Sequence, residues 1–272
     1  MKIKESIKDY HSKPCLSKTK LWRILEKNPL WFKYCEEHPE IDVDSQALKF
    51  GAALHKAVLE FETFSDEYRV IPSVDKRTKA GKELWEEFLS SKGDKTAIDS
   101  LNYAVIQEMR QVICENKYAA YLCSGEIETS YYWTDEMTGL ECQARPDVFK
   151  IINGRGLIVD LKTCAKADTD SFRKSAINYG YDLQAAMFIT ACEKEYQIPC
   201  DFVFLAVEKT PPYMINIMQA DDLLIKLGKD RFREALGIYK ECSESGNWYG
   251  YNGYSGIINN LSVPAWLAKE VE

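Results

Sequence analysis

Asp147, Asp160 and Lys162 are the residues of this 272-residue chain whose types and spacing could do chemistry. They lie in RPDVFKIINGRGLIVDLKT, Arg145 to Thr163, where two apolar runs flank Asn153-Gly154-Arg155-Gly156. Asn and Gly tolerate the positive φ that tight strand connections require, so the runs are expected to pair as a hairpin. A turn centred on Gly154 and Arg155 places Ile152 opposite Leu157, Phe149 opposite Asp160, and Asp147 opposite Lys162. Asp160 and Lys162 are two apart and share a face. Asp147 joins them there, diagonal to Asp160 at a Cα distance of roughly 7–8 Å. Carboxylates that close repel unless a cation lies between them, and hard oxygen ligands suit Mg²⁺ or Mn²⁺. A one-residue slip in register would undo the convergence. An edge hairpin with surface ion pairs, worth little energetically, is the competing explanation. LIVDLK, however, is a nearly continuous apolar run of the kind found in buried strands, where a charge needs a reason.

Two further residues could join the site. His55, in GAALHKAVLEF, lies one helical turn before Val58 and Leu59 and faces roughly inward with them. It is either a satisfied core histidine or, if carboxylates share its pocket, a ligand for a divalent metal or an anchor for water. Gln184, in YDLQAAMF, follows Lys162 by little more than twenty residues on the next helix. It is either a helix-surface amide or one that reaches back to the strand ends.

The elements that must position these residues fall into two halves. LSKTKLWRILEKNPLWFKYCEE reads as a helix interrupted at Pro29. SQALKFGAALHKAVLEFETF is a second helix, apolar at Leu48, Ala52, Val58 and Leu59. A basic loop, a short helix and a long helix follow through Cys123. From about residue 125 the composition turns to strands, with a turn at Thr138-Gly139 ahead of the hairpin. A helix from about Asp168, broken near Tyr179-Gly180, precedes two more strands, and ADDLLIKLGKDRFREALGIYKECSES closes the order as a long helix with acidic residues in its first turn. Residues 1–15 are polar and expected to be loose, and residues from GYNGYSG onward are loop-like.

Composition is that of an ordinary globular protein, long enough for one large domain or two small ones, and the absence of a clean interdomain linker favours one. The net charge of −7 and pI near 5.3 advertise no global basic field, so an anionic partner must be met by a local patch or through metal ions. Nine scattered cysteines with no C-x-x-C pair fit a reduced, cytoplasmic setting and no disulfide framework. No apolar leader and no run of 18 apolar residues is present, so neither secretion nor a membrane partner is expected.

Together these residues resemble the PD-(D/E)XK nuclease superfamily, with RPD and VDLK as its two halves. The ordered set LSKTKLWRILEKNPLWFKY, FGAALHKAVLE, DKRTKAGKELWEEF, YYWTDEMTGLECQARPDVF, IVDLKT and YGYDLQAAMF, with LSVPAWL at the end, resembles phage- and prophage-encoded exonuclease VIII proteins, the RecE-type enzymes. The resemblance runs from Leu16 to Leu267. It implies an α/β (α+β) fold with a restriction-endonuclease-like core, a mixed central sheet flanked by helices and a helical N-terminal region. The expected organisation is a flexible 1–15, a single nuclease domain over 16–267 and a short tail over 268–272.

What the resemblance implies about function is a Mg²⁺-dependent exonuclease, with Mn²⁺ as a substitute, that digests the 5′-ended strand of linear double-stranded DNA and leaves a 3′ single-stranded tail. His55, Asp147, Asp160 and Lys162 would form the active site with Gln184 in support. The metal ligands would be Asp147, Asp160, His55 and the Leu161 carbonyl. Related nucleases often carry Gln-x-x-x-Tyr where this chain has Phe188. A homo-oligomeric ring around DNA could be acidic outside while Lys76, Arg77, Lys79, Lys82, Arg173 and Lys174 line the phosphate path, although a solvated basic loop explains the same residues. A single-strand annealing protein of the RecT type is the expected partner, in the cytoplasm of a bacterial host. The rivals are a structure-selective or CRISPR-associated nuclease on the same fold and a DNA-binding recombination protein without catalysis. An iron–sulfur variant would need a compact C-terminal cysteine group, and only Cys242 lies in that region.

Overall fold

The computed structural model describes residues 1–41, 46–253 and 256–263. The expected tail over 268–272, the end of LSVPAWL, part of the acidic loop and the expected helix start at Ser45 lie outside the described residues. The chain begins with β1 (Lys2–Ile3), α1 (Ile7–Ser12), α2 (Lys18–Glu26) and α3 (Pro29–Glu37). It continues through α4 (Gln46–Leu59), α5 (Phe64–Glu67), β2 (Tyr68–Val70), α6 (Lys79–Lys92), β3 (Thr96–Ile98), α7 (Ser100–Glu115) and α8 (Lys117–Leu122). The second half is β4 (Glu126–Ile127), β5 (Ser130–Thr134), β6 (Glu141–Ala144), β7 (Val148–Ile152), β8 (Arg155–Cys164), α9 (Thr169–Asn178), α10 (Tyr181–Tyr196), β9 (Cys200–Glu208), β10 (Ile215–Gln219) and α11 (Asp222–Ser245).

A five-stranded mixed sheet in the order β10-β9-β8-β7-β4 is the centre, with β8 and β9 parallel and the other pairs antiparallel. The parallel pair requires a crossover, which α9 and α10 provide. Each strand feeds two cores by alternation. Phe149, Ile158, Phe202, Phe204 and Ala206 pack with α2, α10 and α11 on one face, and Val148, Val159, Leu161, Val203, Leu205 and Val207 pack with α4, α7 and α8 on the other. This is the mixed sheet between helices that the sequence led us to expect. Among the described residues no helix is long and apolar enough to cross a membrane.

The hairpin register differs from the expected one. Asn153 (φ 49°) and Gly154 (φ 79°) occupy both central turn positions, so Ile152 pairs with Arg155 and Val148 with Val159. Two consecutive residues with positive φ make the type I′ connection that matches strand twist. The slip is of two residues, which preserves parity, so Asp147, Asp160 and Lys162 keep a common face. Its effect is to bring Asp147 level with Asp160 instead of Lys162.

Three local expectations change as well. Residues 1–15, expected to be loose, make specific contacts: β1 pairs with β5, the Met1 ammonium donates to the Tyr132 carbonyl at 2.8 Å, and Tyr10 is buried against Tyr132. A two-residue edge strand is too short to carry a hydrophobic period. On α4 the buried residues are Ala53, Leu54 and Ala57, while Leu48 is 65% exposed and Ala52 is exposed. Small alanines set that helix's inward stripe, and the larger Leu48 misled the phase. The segment after the basic loop forms a 14-residue helix, and a parallel pair, β2 with β3, was not foreseen.

Candidate active site

The site forms at one end of the central sheet, where β8 carries Asp160 and Lys162 onto the α10 face and α4 closes from the opposite layer. Thr163 sits next in β8, and its hydroxyl lies 3.9 Å from where a Cβ on Gly51 of α4 would be. That proximity lets His55, one turn along α4, reach round the sheet end to Asp147. His55 Nδ1 stands 3.5 Å from Asp147 Oδ2, and the same oxygen accepts the Leu161 N–H at 2.7 Å. From the other layer, Gln184 Nε2 of α10 donates to Asp160 Oδ1 at 2.8 Å. Lys162 Nζ stands 2.6 Å from Asp160 Oδ2 and 4.8 Å from the centre of the Tyr181 ring. Asp147, Asp160, Lys162, His55 and Gln184, chosen from sequence, thus converge on one place.

Burial and mutual charge set the protonation of this cluster. Burial pushes Asp160 up to about 6, the Asp147 charge adds to it, and Lys162 pulls the other way. Asp147 feels the same burial, but the His55 charge and hydrogen bond, Lys162 and the Leu161 N–H hold it below the usual carboxylate range. Burial would lower His55, yet the Asp147 carboxylate outweighs it and raises the imidazole to about 9. Lys162 is raised in the same way, with burial opposed by Asp160 and Asp147. In the absence of a metal, the protein therefore balances its carboxylates with an imidazolium and an ammonium.

Glu128 belongs to the site and was not anticipated. Its carboxylate, His55 and Asp147 each offer a ligand atom, and these atoms lie within 4.8 Å of one another. The β4–β7 register, Glu126 with Phe149 and Ile127 with Val148, brings Glu128 level with Asp147, and its N–H donates to the Asp147 carbonyl at 3.0 Å. The residue sits at φ 46°, an uncommon conformation for a non-glycine residue, and its side chain is anchored by Arg145 Nε at 2.7 Å. Burial and the Asp147 charge raise its pKa against the pull of His55 and Arg145. The available signal was an acid at a strand end, but the β5–β6 hairpin separates it in sequence from the strand it pairs with.

The donor set fits a divalent cation. Asp160 Oδ2 is fully buried, with the Lys162 ammonium against it at 2.6 Å. Three carboxylates gathered at one end of the sheet beside an imidazole form a costly arrangement that a cation relieves.

The remaining expected residues divide. Leu161 contributes its N–H to Asp147, as above. Phe188 is buried against Phe202, one turn beyond Gln184, so a hydroxyl there would enter the apolar cluster. Lys76, Arg77, Lys79, Lys82, Arg173 and Lys174 are exposed, but Arg77 pairs with Asp75 at 3.0 Å, Lys79 with Glu83 at 4.0 Å and Arg173 with Asp170 at 2.8 Å. Lys76 stacks on Trp85. Among the described residues, no hydrogen bond or ion pair joins the group on and before α6 to the pair on α9.

Residues 30–260 match the family described as PDDEXK-like domain of unknown function (DUF3799). The chain belongs to that family. The family therefore places the protein in the PD-(D/E)XK-like superfamily, whose nucleases use divalent metals. A crystal structure of a "putative exonuclease" from Eubacterium rectale has the same fold, with a TM-score of 0.66 at 16% identity over 98% of each chain. A second, the crystal structure of SSO0001, aligns with a TM-score of 0.40 at 12% identity over 85% of this chain and 78% of that one. No curated protein matches the sequence.

Proposed function

We propose that the protein is a Mg²⁺-dependent exodeoxyribonuclease of the RecE type that digests the 5′-ended strand of linear duplex DNA and leaves a 3′ single-stranded tail. The observation that supports this most is the buried Asp160 carboxylate, held by Gln184 on Oδ1 and facing Lys162 with Oδ2, close to the group of His55, Glu128 and Asp147 whose ligand atoms lie within 4.8 Å of one another. The ordered motifs from Leu16 to Leu267 carry the choice of exonuclease within the superfamily.

Asp147, Asp160, His55 and Glu128 would hold the cation, with the Leu161 carbonyl as a further oxygen. Bound there, it supplies Lewis-acid stabilisation of the scissile phosphate and of the departing oxygen. The chain's own groups do the rest. Gln184 and the Leu161 N–H fix the two carboxylates in place. Lys162, kept protonated by Asp160 and Asp147, orients the attacking water and offsets charge that develops on the phosphate. Its raised pKa makes it a donor and a charge, with proton removal left to solvent.

A 3′ tail is the substrate that a single-strand annealing protein of the RecT type needs, so such a protein is the expected partner. A homo-oligomeric ring in the cytoplasm of a phage- or prophage-bearing bacterium completes the reading. Strand-specific end labels on linear duplex test it: the 5′ label should be released early while the 3′ label stays on long single strands. Early release of the 3′ label, or efficient cutting of covalently closed circles, would replace the exonuclease reading with another nuclease activity.

A further inference from the structure

Lys18 is a second ammonium beside the catalytic lysine, and none of the chemistry above uses it. It opens α2, and the approach of α2 to the site depends on Gly180. That glycine has φ 64°, and a Cβ on it would lie 2.4 Å from Trp22 Cε3, so the Trp22 ring closes directly onto the α9–α10 junction. The close fit carries Lys18, one turn before Trp22, over the start of α10. Lys18 Nζ donates to the Tyr179 carbonyl at 2.5 Å and stands 5.7 Å from the Trp22 ring and 5.8 Å from the Tyr181 ring. Lys162 Nζ lies 4.8 Å from that same Tyr181 ring.

The two ammoniums are unequally served. Lys162 has Asp160 at 2.6 Å, whereas no carboxylate pairs with Lys18 among the described residues. An ammonium carries three N–H donors, and the Tyr179 carbonyl takes one. Burial and the neighbouring Lys162 charge hold Lys18 down to about 8, against the opposite pull of Asp160, Asp182 and Glu26. Two cations flank one aromatic ring, and an anion entering beside them lowers their mutual repulsion.

We propose that Lys18 is a phosphate-binding residue for the cleaved strand, working with Lys162 on the backbone anion that enters between α2 and the start of α10. The proposal rests on the nuclease reading and extends it to a residue that grips substrate without touching the cation site. A terminal 5′-phosphate and an internal phosphodiester offer the same charged oxygens, and the measurement below separates them.

The test is binding of a fluorescently labelled linear duplex in EDTA across a NaCl series, with the unmodified protein, Lys18→Gln, Lys18→Met and Lys18→Arg. Lys18→Gln keeps a donor for the Tyr179 carbonyl and removes only charge. It should bind roughly tenfold more weakly at moderate salt and reduce the slope of log affinity against log salt by about 0.9, the loss of one phosphate contact, while Lys18→Arg keeps the slope. Lys18→Met, which also gives up the hydrogen bond, should match Lys18→Gln. With Mg²⁺ added, KM should rise more than kcat falls; a loss confined to 5′-phosphorylated ends assigns the terminal phosphate, and an equal loss on 5′-hydroxyl ends assigns an internal one. Unchanged affinity and slope in Lys18→Gln, or an effect seen in Lys18→Met alone, overturns the proposal and leaves the nuclease reading intact. Absence of DNA binding by the unmodified protein overturns both.

Discussion

His55 and Asp147 form an ion pair that a bound cation must break, because an imidazolium has no lone pair to give. With His55 raised to about 9, a cation that binds near neutral pH displaces its proton. Apparent metal affinity should therefore climb by up to about tenfold per pH unit between pH 7 and 9. Calorimetry in buffers of different ionisation enthalpy would read the released proton directly, and an affinity flat across that range would count against His55 as a ligand. The sign reverses for the metal-free fold. The folded pKa lies above the ordinary 6.5, so the stabilisation from this pair is complete below about 6.5 and is lost as pH rises through about 9. Glu128→Gln should weaken metal binding by about 10–100-fold while Arg145 still holds the side chain, and titration with Mn²⁺ would show it. Asp147, Asp160 and Lys162 were legible in the sequence because one short turn joins their strands. Glu128 was not, because β4 reaches β7 only after the β5–β6 hairpin, and no spacing rule spans that detour.

At the level of elements, the site survived an error in the turn because the error was even. A turn placed one pair too far still leaves i and i+2 on one face, whereas an odd slip would have hidden Asp147 from Asp160. Helix phase was less forgiving: α4 buries Leu54 with Ala53 and Ala57, and the two alanines carry too little hydrophobic signal to outweigh Leu48. Packing between α10 and α11 was invisible for a similar reason, since it turns on a residue with no side chain. A Cβ on Gly228 would lie 2.0 Å from the Asp182 carbonyl oxygen, while one on Gly237 of the same helix would meet nothing within 4 Å. Gly228→Ala should cost about 1–3 kcal/mol through the forced separation of the two helices. Gly237→Ala should be neutral or stabilise by up to about 1 kcal/mol. Thermal melts of the pair provide the check, and equal shifts in the two variants would show that the helices are not packed this closely.

The whole molecule carries a net charge of −7 and still places half-buried cations beside the buried Asp147 and Asp160 at the end of its central sheet. Its division into a helical first half and a sheet-rich second half could be read from composition. That the first half folds back so that α2 and α4 cover opposite faces of the same sheet end could not, since it depends on contacts across most of the chain. Charge counted along the sequence was also a poor guide to a phosphate path: Arg77, Lys79 and Arg173 look available as letters but pair with carboxylates two to four residues away. The central claim is that the Asp147–Asp160–Lys162 constellation, closed by His55 and Glu128, is a metal-dependent site for phosphodiester cleavage. Nucleotide release from linear duplex DNA, measured with Mg²⁺ and with EDTA for the unmodified protein and for Lys162→Met of unchanged melting temperature, tests it most directly. The account predicts release only with the cation and a loss of at least about a hundredfold in turnover in the variant. A folded, unmodified protein that releases nothing with Mg²⁺ or Mn²⁺, or a Lys162→Met protein as fast as its parent, would contradict it.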